Sequence, residues 1–165
     1  MATAVSAVED LAAVRRALQE LDLRPISYKL TRSREGDVWT EEKAARVEAC
    51  YRAFLYVAYA NPDRRIVPSG EVDDYWHAHI LDTRKYAEDC ARIFGRFIHH
   101  WPYFGIEDDQ QEELLAVFEE SQELMRDAIA YFAGPDAGRR FFGPFGPFGP
   151  LDRPMCITPA TDKEP

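Results

Sequence analysis

A run of residues at helical spacing in the middle of the chain restricts the fold most. Val72, Trp76, His79, Thr83, Tyr86, Cys90 and Ile93 follow one another at steps of three and four. An α-helix would line them along one face. Pro68-Ser69-Gly70-Glu71 opens the segment with Ser69 as cap, and Gly95 offers an exit after Phe94. The spacing therefore predicts one continuous central helix over residues 69–94.

The same period recurs on either side. Val8, Leu11, Val14, Leu18 and Leu21 predict an amphipathic helix over about residues 5–22, ended by Pro25. Thr40 followed by Glu41 and Glu42 is a helix start, a hydroxyl cap before acids that favour the positive end of the dipole. That helix carries Val47, Cys50, Phe54 and Val57 on one stripe, and Asn61-Pro62-Asp63 stops it. A last helix starts near Asp108-Asp109, with Leu114, Phe118, Met125, Ala128 and Phe132 as its stripe and Gly134-Pro135 as its end. Lys29 to Asp37, polar and containing Gly36, reads as loop, preceded by a short extended piece near residues 26–30. The expected fold is all-α, a single-domain bundle of about four helices over residues 1–135.

Residues 136–165 depart from this pattern. Phe142-Gly143-Pro144, Phe145-Gly146-Pro147 and Phe148-Gly149-Pro150 are three copies of one tripeptide. Such Pro and Gly density excludes helix and central strand. The expectation is an irregular tail that packs its rings on the body or binds a protein partner.

A net charge of −9 over 165 residues argues against a nucleic-acid partner, which needs a concentrated basic face. Cys50, Cys90 and Cys156 are odd in number and far apart, unlike a disulfide framework. The first residues have neither a basic start nor a long apolar run, and no stretch approaches a membrane span. A cytoplasmic protein without membrane association is expected.

All four histidines lie between His77 and His100, flanked by Trp76 and Trp101. Histidine is the commonest metal ligand and titrates near neutrality, and His, Cys and Asp together suit zinc or iron. Helical geometry prunes the combinations. His79 and Cys90, eleven residues apart, would stand about 16 Å apart on a straight helix and could share an ion only if the helix broke. Asp73 with His77, and His79 with Asp82 or Thr83, are neighbours on a helix. The loop after Gly95 can run back beside the helix and bring in His99 or His100. The expected metal set is drawn from His79, Asp82, His99, His100 and Cys90. Trp76, His77, Thr83, Tyr86 and Trp101 are expected to line a site for a small molecule or peptide. His77, two residues before His79, should point away from it and pair with Asp73 or Asp74. Two other readings remain open: metal-free chemistry with Cys90 as nucleophile and His99 or His100 as base, and a polar core with no chemistry at all.

Trp76-His77-Ala78-His79-Ile80-Leu81-Asp82-Thr83, then Tyr86, Asp89-Cys90, and His99-His100 with Pro102, resembles the glycine-rich domain-containing protein-like family of plants, fungi and bacteria. Its hallmark is an acidic residue, a Trp-His-x-His core, a Tyr and a Cys on the same helix, and a later His-x-Pro. The resemblance covers about Val47 to Gly105. It implies a functional role for these positions without supplying a reaction. Plant members carry long glycine-rich regions, of which the Phe-Gly-Pro segment is at most a faint echo.

Overall fold

The computed structural model describes residues 2–32, 38–103 and 110–134, with side chains from residue 10 onward. The Phe-Gly-Pro segment and the expected start of the last helix lie outside the described residues. Six helices occur among those described: α1 (Ala2–Glu20), α2 (Arg24–Arg32), α3 (Glu41–Ala60), α4 (Gly70–Leu81), α5 (Thr83–Phe94) and α6 (Gln111–Ala133). The all-α class holds, and the expected count of about four helices is corrected to six.

One added helix is α2, where a loop and an extended piece were expected. Pro25 starts this helix rather than only ending the previous one. A proline lacks an N–H, which is no loss in the first helical turn, and its fixed φ suits the position. The Asp22 carboxylate accepts the Arg24 backbone N–H at 3.1 Å and so serves the α2 N-terminus. Ile26 is buried and Leu30 packs against the core, while Tyr28 stays exposed.

The other addition comes from a break. The expected 69–94 helix is two helices, because Asp82 adopts φ −83° and ψ 69° and leaves the helical region. Its backbone N–H still closes α4 on the His79 carbonyl, and its carboxylate accepts the Lys85 N–H at 3.4 Å to open α5. Aspartate competes in this way with the helical ladder wherever its side chain can reach the backbone. The break carries Thr83 out to solvent, whereas Val72, Trp76, His79, Tyr86, Cys90 and Ile93 remain buried.

Helix α3, not the 69–94 segment, is the hub. It packs against α1, α2, α4 and α6. Residues on every side of it are buried, among them Val47, Cys50, Tyr51, Phe54 and Val57, as befits a helix enclosed by others. Thr40 caps it as expected, accepting the Lys43 N–H at 3.1 Å. Ser69 likewise accepts from Val72 at 3.4 Å, and Gly95 ends α5 at φ 66°. The α3–α4 connection tucks Ile66 and Val67 inside, and Val67 donates to Ser121 of α6 at 3.0 Å. This ties the α3–α4 connection to α6.

Candidate metal centre

Two polar clusters grow from the histidine window, and they are distinct. The first starts with Asp73 in the first turn of α4, where the helix dipole favours an acid. Four residues on, His77 lies above it on the same face and sets Nδ1 3.3 Å from Asp73 Oδ2. His100 approaches from the loop and places Nε2 3.1 Å from Asp73 Oδ1. The Asp73 side chain is 2% exposed, that of His100 11% and that of His77 46%. The group is therefore rooted in the interior and opens to solvent at His77.

The loop path explains why His100 and not His99 turns inward. The Tyr86 hydroxyl donates to the Ile98 carbonyl at 2.6 Å, and Ile98 is buried. Successive side chains of a near-extended chain alternate in direction. His99 is accordingly exposed, with its ring 4.9 Å from that of Phe97. The His100 ring rests 4.7 Å from Trp76 and 4.4 Å from His77.

One ligand atom from each of Asp73, His77 and His100 falls within a mutual span of 4.8 Å. Around a tetrahedral ion with bonds near 2.0–2.1 Å, neighbouring donors stand about 3.3 Å apart. The 3.3 and 3.1 Å separations run to different oxygens of Asp73 and are hydrogen-bond lengths, so it is the 4.8 Å span that bears on a shared ion. Without an ion, each imidazole can donate one N–H to the carboxylate, so the buried acid stays satisfied. With an ion, the same nitrogens would offer lone pairs to it, and each neutral imidazole would carry its N–H on the other ring nitrogen.

The second cluster surrounds His79. Its Nε2 lies 3.2 Å from Asp89 Oδ2, and its Nδ1 lies 2.9 Å from the Tyr51 hydroxyl. Lys85 and Arg92 also donate to Asp89, at 2.7 and 3.0 Å. Burial pushes the Asp89 carboxyl up, but the hydrogen bonds from Lys85 and Arg92 outweigh it and hold the group below its ordinary range. An ionised Asp89 requires the proton on Nε2, so Nδ1 accepts from the Tyr51 hydroxyl. Burial lowers the His79 pKa to about 4, against the opposing pull of Asp89. Burial also raises the Tyr51 hydroxyl well above its ordinary value. This is a satisfied, neutral core histidine.

The expected site residues thus separate. Among the described residues, the converging group is Asp73, His77 and His100; His79, Asp82, His99 and Cys90 do not join it. Asp82 is the exposed cap between α4 and α5. Cys90 is buried beside Tyr86 and the Ile98 backbone, and burial raises its thiol pKa, which makes it a poor nucleophile. Trp76 and Tyr86 are buried too, the indole N–H donating to the Tyr86 hydroxyl at 2.9 Å. Trp101 packs against the small cluster of Val67 and Leu114. His77 pairs with Asp73, in keeping with its i, i+4 spacing. It does not point away from the site as expected: its ring lies 4.4 Å from that of His100, because the loop folds back onto the Asp73 face of α4. Asp73 was legible as that partner; its role as the bridge to His100 was not.

The model of the UCP032817-like family matches residues 15–118. The chain belongs to this family. The match includes Asp73, His77 and His100, together with the whole His79 cluster. The chain is also 32% identical over 101 residues to Glycine-rich domain-containing protein 2 of Arabidopsis thaliana, covering 58% of this chain and 12% of that protein. Glycine-rich domain-containing protein 1 of the same plant is 32% identical over 81 residues, 46% of this chain and 9% of that protein. These matches bear out the family resemblance carried by the Trp76–Pro102 motif. The chain thus spans only a small fraction of the length of these relatives. No solved structure matches it. Within the family hallmark, the Tyr and Cys stand on α5 and the Trp-His-x-His on α4, so the single shared helix is corrected to two.

Proposed function

We propose that this protein is a metal-binding helical domain in which Asp73, His77 and His100 hold a zinc or iron ion. The centre binds or acts on a small molecule or peptide. One observation carries the reading: three donor groups from two separate segments converge, one ligand atom of each lying within 4.8 Å of the others. Two imidazoles and one carboxylate form a donor set used for both zinc and non-haem iron.

Elemental analysis of protein purified without an affinity tag, after growth with zinc or iron supplied, tests the proposal. Near-stoichiometric metal is expected. His77→Ala, His100→Ala and Asp73→Asn should each weaken affinity by at least about tenfold, the lower bound even for lost outer-shell partners. His79→Gln should retain the metal. Metal-free protein under both supplements, or full retention in Asp73→Asn, would remove the centre.

Exposed rings support a second reading. Tyr28, Phe97 and Tyr103 are 63%, 43% and 68% exposed, which suits a non-catalytic interaction module that also uses the Phe-Gly-Pro tail. In that case proximity labelling should find partners that persist in Asp73→Asn and decline on Phe97→Ala or removal of residues 142–150.

A further inference from the structure

The proposed centre has an inside and an outside, and its outer side carries information about what it takes. Asp73 and His100 are anchored in the interior, while nearly half of the His77 side chain faces solvent. Three protein donors leave a tetrahedral ion one position short, the arrangement of zinc sites that accept water or substrate. Glu71, in the same helical turn as Asp73, is occupied elsewhere: Lys43 and Arg46 hold it at 3.2 and 2.6 Å. A divalent ion with one carboxylate ligand keeps a net charge of about +1, which favours an anion at the remaining position.

From this geometry we infer that the ion keeps a solvent-facing coordination position beside His77, and that this position takes an anionic oxygen-donor ligand of the carboxylate class. The inference rests on the metal reading above. Asp74 is the competing occupant. It is exposed, and it follows Asp73 directly and precedes His77 by three residues. If its carboxylate closed the coordination sphere, no outside ligand would enter.

Cobalt(II) substitution of the full chain distinguishes these cases, because its visible bands report coordination directly. Acetate, an anionic carboxylate, is titrated into the cobalt protein at neutral pH, with neutral acetamide as a control. A saturable band shift with acetate and none with acetamide is expected, in the wild type and in Asp74→Asn alike. A shift confined to Asp74→Asn would show that Asp74 fills the position and would overturn the inference. Bound cobalt whose spectrum ignores the probe in both proteins would overturn it as well, while leaving the metal centre intact. Failure to bind cobalt, with the fold verified by circular dichroism, would remove the centre and the inference together.

Discussion

Arg52 carries its charge into the interior, 8% exposed. Its guanidinium donates to the carbonyl of Leu18, to that of Leu21 at 2.9 Å, and to Glu48 at 2.7 Å. The first two are end carbonyls of α1 and the residue just past it, the groups that a helix leaves unpaired and that a cation near the C-terminus favours. Glu48 also accepts from Ser27 at 2.8 Å, so the arginine ties α1 and α2 to α3. Arg52→Ala should cost about 3 kcal/mol, the scale for breaking a buried ionic contact and leaving its partners behind. Urea unfolding would show it as a lower midpoint with an unchanged slope. His79 makes a second residue-level prediction. The unfolded chain protonates this imidazole near pH 6.5, whereas burial in the fold delays protonation to about pH 4. The stability contributed is complete above pH 6.5, falls as pH drops through that window, and is lost below pH 4. The loss is about 3 kcal/mol, since one pKa unit is worth about 1.4 kcal/mol. Measured with chelator present, the slope between pH 6.5 and 4 should flatten in His79→Gln. A slope equal to that of the wild type would locate the acid sensitivity elsewhere.

Element boundaries show where local chemistry was readable and where it was not. Thr40, Ser69 and Gly95 act as the sequence suggests, because a cap or a left-handed exit depends on a few neighbouring residues. Asp82 was hidden. The apolar spacing continues across it, and only backbone geometry shows its carboxylate competing with the helix. Asp82→Ala should cost about 1 kcal/mol through loss of the α5 cap, without loosening any metal ligand. An unaltered thermal midpoint would show that the break is imposed by packing alone. Pro25 misled for a related reason: proline ends helices in their interior but is suited to their first turn. At Gly95, φ is 66° and a Cβ would meet nothing within 4 Å. Gly95→Ala should therefore cost only the conformational penalty, about 1 kcal/mol. It should also leave metal affinity within a few-fold, provided that the loop keeps its Ile98 anchor.

At the scale of the whole molecule, α3 fixes what surrounds it, and the candidate centre joins α4 to the loop that leads toward α6. An ion bound only by the folded state should raise stability by about 2.7 kcal/mol when free metal is a hundredfold above its dissociation constant. Thermal unfolding with and without zinc should show this shift in the wild type and not in Asp73→Asn. An equal shift in both would assign the ion to another site. By itself the sequence determined the all-α class, the apolar stripes, most helix ends, the i, i+4 approach of Asp73 to His77 and the family. Each of these follows from spacing along a few turns of chain or from a local motif. Only the tertiary structure decided that His79 is a neutral core residue held by Tyr51 and Asp89, and that the residue brought to Asp73 and His77 is His100. Those outcomes depend on contacts between segments far apart in sequence. Tyr86 grips the Ile98 carbonyl and Trp76 lies against His100, so the loop turns one histidine inward and its neighbour out.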